Sequence, residues 1–598
     1  MRVLSVAEKP SVAKEIARIL SEGSSQQRRG VSQYNACFGF DYDFGNGRRA
    51  QMVVTSVTGH LMESDFAESF RGWHSCDPVA LFTAPVVKYV PEDKVDIKTN
   101  LENEARRADE LLLWLDCDRE GENIGYEVIE VCRGANPRLA VKRARFSALI
   151  PRDIHHAART AGPPDQRMSE AVDARSEIDL RLGAVFTRFQ TLLLQNPFDT
   201  GVVSFGGCQF PTIRFIVERE REIEAFVEEP FWRIDVEHVR VDHATAERAR
   251  AQFEWARGRL FDRLACVVLY EMCVEEPEAT VVAVNRRRTT RAKPIPLATV
   301  ELQREASRKL RIASDRTMAI AESLYQRGYL SYPRTETDKF KEGTDLAGLI
   351  ALHTAHPGWG PFAARLAAGE FGAPRDGGHD DGAHPPIHPT RGVGATELSG
   401  DEARLYEYIA RRFLACCSRD AVGDQTKVEV SIAGEGFSTS GLAVLARNYL
   451  DVYPYDKWEA RTVPAYEVGE AFVPTSVELS ESRTVPPAPI TEAELIGVMD
   501  KHGIGALARA ARRCVASAGG SRAMRAGAAR RAPALRVCAP VRVRPAAGTR
   551  ITGRRAARCS PAQGRTRLSL STLQRCKHAS TLRSAAAPPS SRPSSAAA

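Results

Sequence analysis

Two short apolar runs, Val3 to Ala7 and Leu111 to Leu115, each stop abruptly in charge, and few architectures accommodate that pattern. Each run reads as a buried strand. The first breaks at Glu8-Lys9-Pro10-Ser11 before the apolar-periodic stretch Val12 to Leu20, for which Ser11 is the expected N-cap. The second runs into Asp116-Cys117-Asp118-Arg119-Glu120-Gly121-Glu122. Charge at the carboxyl ends of buried strands is where open α/β sheets bind ligands. Carboxylates at alternate positions of extended chain point to one side, so Asp116, Asp118 and Glu120 repel one another unless a cation joins them. Oxygen-only ligation of this kind suits Mg²⁺, which keeps several waters and shares its shell with substrate phosphate. The plainer alternative is a solvated acidic turn, which an unbroken apolar strand on one side and a helix-like run on the other disfavour.

A second segment carries chemistry of another kind. Gly328 to Thr337 reads GYLSYPRTET. Pro333 fixes its own φ and biases Tyr332 toward extended backbone, so the phenol projects from a stiff turn. Arg334 adds a planar fork of donors matched to phosphate oxygens, with hydroxyls at Thr335 and Thr337 and acids at Glu336 and Asp338. By itself the segment is equally a nucleophile beside a phosphate clamp or a strand end whose tyrosine packs in a core.

The residues in sequence order resemble a known family. AEKPSVAKEIA at 7 to 17 and DCDREGE at 116 to 122 are similar to the Toprim module, and GYLSYPRTET to the active-site segment of type IA DNA topoisomerases. DARSEIDLRLGAVFTR at 173 to 188, SFGGCQFPT at 204 to 212 and AHPPIHPT at 383 to 390 agree in the family's order. With VELQREASRKLRI and ARNYLDVYPYDKW they resemble most the eukaryotic topoisomerase III alpha branch, over about residues 1 to 505.

The resemblance implies a multidomain fold combining α/β, α and β regions. It comprises a Toprim domain (1–155), a helical domain (156–225, continued at 484–505), a β-rich arch entered twice (226–290 and 410–483) and a helical domain bearing the tyrosine (291–409), together a toroid around a DNA-sized hole. The sequence patterns agree: strands alternate with helices up to about 155, apolar positions three and four apart mark ARSEIDLRLGAVFTRFQTLLL, and β-branched runs such as Thr280 to Val284 mark the arch. Length alone requires several domains, since cores stop growing beyond about 250–300 residues.

By the same resemblance Tyr332 attacks a backbone phosphorus, leaving a 5′-phosphotyrosine and a free 3′-hydroxyl, a covalent detour that conserves bond energy and needs no nucleotide for resealing. No G-x-x-x-x-G-K-[ST] occurs, which argues against an ATP-driven motor. A phenol with a pKa of about 10 needs help to lose its proton. The resemblance assigns Lys9 and Arg334 to the developing phosphate charge, and Glu8 to protonating the leaving oxygen and to the metal. It assigns Asp116, Asp118 and Glu120 to Mg²⁺, and His384 to a phosphate contact; His388 reads better as a buried structural histidine. Arg175 and Asp179, one turn apart, are either a surface ion pair or part of a single-strand groove with Gln209 and Thr212; the groove is the preferred reading. A nuclear setting, a RecQ-family helicase, an OB-fold partner and double Holliday junctions are further implications.

Charge must be read in two pieces. The chain holds 83 Lys+Arg against 75 Asp+Glu, but residues 506 to 598 contribute 20 of the bases and no acid, leaving the first 505 residues acidic. DNA must then be met by local basic patches, for which Arg175, Arg181 and Arg188, Arg286 to Arg288, Arg291 and Lys293, and Arg308, Lys309 and Arg311 are candidates. Without a charged-then-apolar leader or an apolar run near 20 residues, neither secretion nor membrane spanning is expected. The 13 cysteines form no C-x-x-C pair, so no zinc module is visible.

After Gly505 the family's Thr-Asp-Ala-Thr continuation gives way to ALARAARR, and the remainder is dominated by Ala, Arg, Ser and Pro. Such a tail is expected to be disordered, because it cannot bury enough apolar surface to offset ordering entropy. It reads either as a basic arm or, preferably, as a shifted frame or retained intron. The alternative function is accordingly a catalytically impaired DNA-binding product with an incomplete groove.

Overall fold

The computed structural model describes residues 1–45, 47–241, 248–394 and 396–504; the tail expectations fall outside these residues. In chain order the elements are β1 (Arg2–Ala7), α1 (Pro10–Leu20), β2 (Gln26–Arg28), β3 (Cys37–Asp43), β4 (Arg49–Ser56), β5 (Glu63–Phe66), β6 (Val86–Tyr89), α2 (Val95–Ala105), β7 (Glu110–Trp114), α3 (Arg119–Ala135), β8 (Ala140–Arg143) and α4 (Pro151–Arg159). Then follow α5 (Gln166–Phe198), α6 (Gln209–Glu224), β9 (Pro230–Val241), β10 (Arg248–Trp255), α7 (Arg263–Glu275), β11 (Ala279–Arg291), α8 (Thr299–Glu305), α9 (Ser314–Gln326), α10 (Leu346–Ala351), α11 (Gly360–Arg365) and α12 (Gly400–Cys416). The series closes with β12 (Ala421–Ile432), β13 (Glu435–Ala446), β14 (Ala471–Phe472), β15 (Ser476–Arg483) and α13 (Glu492–Lys501).

The N-terminal sheet has the order β2-β3-β4-β1-β7-β8 among the described residues. β1 pairs in parallel with β4 and β7, and β7 with β8, whereas β2 and β3 are antiparallel additions at one edge. Strands covered on both faces must be apolar throughout, which is why β7 reads ELLLW and is buried from end to end. Helix α1 begins one residue before the expected cap: Pro10 occupies its first turn, Lys9 flanks it without a side-chain cap, and the Ser11 hydroxyl donates instead to Gln326 Oε1 at 2.9 Å. Proline at the first helical position costs nothing, because its missing N–H would have been an orphan.

The second sheet, in the order β14-β11-β12-β13-β10-β9-β15, draws its strands from 230–291 and 421–483. It is antiparallel throughout. Its inner face buries Trp232, Ile234, Phe253, Val428 and Phe437. One element there was not foreseen: α7, whose Cys266 and Cys273 are buried in the same core. Helix α12 also runs seven residues past 409, because Phe413, Leu414 and Ala415 remain buried in the core of the helical region.

The helical region that carries GYLSYPRTET packs directly on the first sheet. Tyr325 and Tyr332 share a core with Trp114, Phe146, Leu149 and Ile154. Gly328 sits at φ +75°, and a Cβ there would stand 3.0 Å from the Leu149 carbonyl oxygen, so the turn after α9 can approach this closely only as glycine.

Candidate active site

The carboxyl ends of β1 and β7 lie side by side, which brings Glu8-Lys9 and Asp116 together from residues more than a hundred apart. The Asp116 N–H donates to Glu8 Oε2 at 3.2 Å, and Lys9 Nζ stands 3.2 Å from Glu8 Oε1 and 3.7 Å from Asp116 Oδ2. Burial, then the charge of Glu8, pushes the Asp116 carboxyl up to about 7 against the pull of Lys9. Burial opposes the charge on Lys9, but Glu8, Asp116 and Glu322 outweigh it and hold its pKa above the ordinary lysine range. One ammonium is thus shared among several acids.

Asp118 caps α3, its Oδ1 accepting from the Gly121 N–H at 2.7 Å. Gly121 is obligatory, since a Cβ would fall 2.0 Å from the Asp116 carbonyl oxygen. That carbonyl is also held at 2.7 Å by the fully buried Arg143 guanidinium, which pairs with Glu122 at 3.1 Å. The backbone carrying the acids is therefore rigid.

Tyr332 meets this edge from the other side. Its hydroxyl donates to Asp118 Oδ2 at 2.7 Å, and its N–H to the Ser147 carbonyl at 3.0 Å. Burial, then the charges of Asp118 and Asp116, raise the phenol pKa well above its usual value, so it rests protonated. The His384 ring lies against it with centroids 4.4 Å apart. Neither imidazole nitrogen makes a well-formed hydrogen bond, and burial holds the ring neutral, with a lowered pKa.

Three predicted residues are engaged elsewhere. Arg334 forks onto Glu322, with its Nε 2.7 Å from Oε1. Glu120 does not join Asp116 and Asp118: Arg175 pairs with it, and His60 Nε2 lies 3.2 Å away. The His60 contact, with Arg175 beside it, holds the Glu120 carboxyl down at about 2. Thr212 is fully buried and its hydroxyl donates to the Cys208 carbonyl at 2.7 Å, so no DNA contact is open to it in this conformation. Asp179 is exposed and faces Gly207, while Gln209 opens α6 beside the tilted ring pair of Phe205 and Phe210.

Several basic candidates are structural. Arg188 is buried on the carbonyls of Phe70, Arg71 and Gly72; Arg181 holds those of Leu81 and Ala84; and Lys293 is buried on three more. Lys309 pairs with Glu305 at 2.6 Å. His388 is buried, its Nδ1 2.7 Å from the Pro386 carbonyl.

The structure adds residues that sequence reasoning passed over. Tyr325 donates to Asp116 Oδ1 at 3.1 Å and stands edge-on to Tyr332, with centroids 5.3 Å apart. Asp381 accepts from the Thr335 hydroxyl at 2.9 Å and from the His384 N–H at 2.8 Å, while its own N–H donates to Thr337 Oγ1 at 3.0 Å. It ties the histidine to the tyrosine's loop. Tyr325 sits near the end of α9, seven residues before Tyr332, and nothing in the sequence pattern pointed to it. Asp381 lies in Gly377 to Ala383, a loop rich in Gly, Asp and His, and Glu322 carried no signal at all.

Comparison with known proteins gives the family. Residues 3–149 match the Toprim domain, and 163–513 match a family described as DNA topoisomerase. The chain belongs to the type IA DNA topoisomerases. It is 53% identical over 516 residues to DNA topoisomerase 3-alpha of Arabidopsis thaliana, covering 84% of the chain and 55% of that protein. It is 51% identical to the human DNA topoisomerase 3-alpha over 84% of the chain and 50% of that protein. DNA topoisomerase 3 of Schizosaccharomyces pombe is 43% identical, with 84% of the chain and 81% of that protein aligned. The chain spans about half the length of the plant and human relatives. Full-length topoisomerase I from Thermotoga maritima shares the fold, with a TM-score of 0.63 at 23% identity, covering 85% of the chain and 77% of that structure.

Proposed function

We propose that the chain cleaves one DNA strand through Tyr332, passes another strand through the gap and reseals it without a nucleotide cofactor. The observation that carries this reading is the 2.7 Å hydrogen bond from the Tyr332 hydroxyl to Asp118, made across the joint between the helical region and the Toprim sheet. A gate needs a nucleophile that is covalently part of one body and chemically completed by another.

The phenol is protonated at rest, and Asp118 already accepts its hydrogen bond, so the proton has a neighbour to move toward as the oxygen attacks phosphorus. Lys9 and Arg334 would then turn from Glu8, Asp116 and Glu322 to the phosphate oxygens, where charge develops. Glu8, beside Lys9, would protonate the departing 3′-oxygen. His384 would present one of its unpaired nitrogens to the same phosphate. The covalent adduct keeps the energy of the phosphodiester, and the reverse attack by the 3′-hydroxyl restores it.

The donors fit Mg²⁺ by chemistry. Glu8, Asp116 and Asp118 supply only oxygen, and burial, then the charge of Glu8, leaves Asp116 at about 7, so a cation there would be welcome. Among the described residues no three such groups already converge on one metal-sized point. Glu120 would have to leave Arg175 to join them. When bound, the ion supplies positive charge against phosphate oxygens; the residues named here position the strand.

On negatively supercoiled plasmid with Mg²⁺, the wild-type chain is expected to relax the DNA and Tyr332→Phe is not. Relaxation by both contradicts the role of Tyr332, and relaxation by neither favours an inactive DNA-binding product. Arg175, Asp179 and Gln209 would line the single-strand groove. A nuclear role on recombination intermediates, beside a RecQ-family helicase and an OB-fold protein, extends the same reading.

A further inference from the structure

We infer that the carboxyl edge of the Toprim sheet carries a second nucleic-acid contact, a nucleotide subsite formed by Tyr34, Lys14 and Arg29. It rests on the proposed function and adds a place for the strand beyond the cleavage centre. The sheet order sets β1, with Glu8 and Lys9 at its end, between β7 on one side and β4, β3 and β2 on the other. Helix α5, with Arg175, is tied to the β7 side through Glu120. Toward β2, on the far side of Lys9, the same edge opens into two adjoining clefts of about 310 and 180 Å³ that share Gln27. Pro10, the chain neighbour of Lys9, lines the smaller cleft.

The lining has the composition that single-stranded nucleic acid selects. No carboxylate lines either cleft. Lys14 and Arg29 are exposed, and among the described residues neither has an ionic partner. That separates them from Arg175 and Arg334, each paired with a glutamate, and from the neighbouring Arg28, which is spent on Glu104 at 2.6 Å. Tyr34 is 72% exposed at the mouth of the smaller cleft. An exposed tyrosine alone is ordinary surface. Beside two uncommitted cations at the carboxyl edge of an open α/β sheet, it is a stacking platform flanked by phosphate contacts, and stacking on it requires an unpaired base.

The test is binding of fluorescein-labelled oligo(dT) to the full chain in EDTA, followed by anisotropy over a salt series. Tyr34→Ala is expected to weaken binding about 5-fold or more, the range of one base–aromatic stack, while Tyr34→Phe retains affinity. The double variant Lys14→Ala/Arg29→Ala is expected to flatten the slope of log affinity against log salt by about 1.4, at about 0.7 per single-strand phosphate contact. Arg18→Ala, an exposed cation of α1 already paired with Glu15, serves as control and leaves the slope unchanged. Unchanged affinity and slope in folded variants overturn the subsite while leaving Tyr332 chemistry intact. Equal loss in Tyr34→Phe and Tyr34→Ala overturns stacking. A wild-type chain that neither binds oligo(dT) nor relaxes plasmid overturns the proposed function itself.

Discussion

The two walls of the site solve opposite electrostatic problems. The Toprim edge gathers Glu8 and Asp116 around a single lysine beside Asp118, and burial, then the charge of Glu8, lifts Asp116 to about 7. The facing wall buries Tyr332, Tyr325, His384, His388 and, deeper in the helical region, His353, and keeps every one of them neutral: phenols shifted up, imidazoles shifted down, burial leading in each case. The carboxylates of one side thus meet buried, neutral phenols at Tyr332 and Tyr325, with the charged Arg334–Glu322 pair beside them. The raised phenol pKa leaves Tyr332 protonated.

The sharpest way to break this comparison is Asp118→Asn. Asparagine caps a helix about as well as aspartate, so α3 keeps its start, but the side chain loses the charge that would receive the phenol proton. Formation of the covalent adduct on an oligonucleotide is expected to fall about 10²–10⁴-fold, the usual worth of a positioned proton acceptor, with the melting temperature nearly unchanged. An unchanged adduct rate would show that Asp118 only orients the ring.

The neutral wall makes a pH prediction. Burial holds His353 down at about 4; its Nδ1 accepts from Trp359 Nε1 at 3.3 Å, and its Nε2 has no partner. Its folded pKa lies below the unfolded value of about 6.5, so the unfolded chain binds the extra proton between these values, and stability falls as pH drops from about 6.5 toward 4. At pH 4.5 the loss is on the order of 2–3 kcal/mol relative to pH 7. The urea midpoint of wild type against His353→Gln at both pH values reads it, and equal pH dependence in the two proteins would refute it.

What sequence made legible follows the same division. The charged wall was readable because strand ends advertise it: β1 into Glu8-Lys9 and β7 into Asp116 and Asp118 need only local patterning to be placed on one edge. Pairings set by tertiary approach were not readable. Glu120 sits in the same acidic motif yet turns to His60 and Arg175, and Thr212 sits in a recognisable segment yet is buried, because the packing of α5 and α6 decides both. Ser11 lost its capping role when Pro10 could begin α1 two residues earlier than Val12.

A smaller effect is expected at Asp381, which joins the loop of Thr335 and Thr337 to the backbone of His384 without touching Tyr332. Asp381→Asn keeps the shape and one acceptor oxygen, but weakens hydrogen bonds that are charge-assisted in the wild type. A cleavage rate lowered about 5- to 30-fold is expected, with oligo(dT) affinity unchanged, since one to two kcal/mol of positioning is at stake and no phosphate contact. Parallel loss of affinity and rate would make Asp381 part of the DNA surface instead.

The smallest effect probes the one acid that left the charged wall. Arg175 and Glu120 are half-exposed, and exposed ion pairs contribute about 0.2–1 kcal/mol, so Glu120→Gln is expected to change the melting temperature by no more than a degree or two. Its consequence for binding has the opposite sign. With its glutamate neutralised, Arg175 is released toward phosphate, and oligo(dT) affinity in EDTA is expected to rise about 2- to 5-fold, most clearly at low salt, where the freed charge is least screened. Weaker binding in Glu120→Gln would mean that the pair orients Arg175 for DNA instead of occupying it, and the groove reading of α5 would then hold with the ion pair intact.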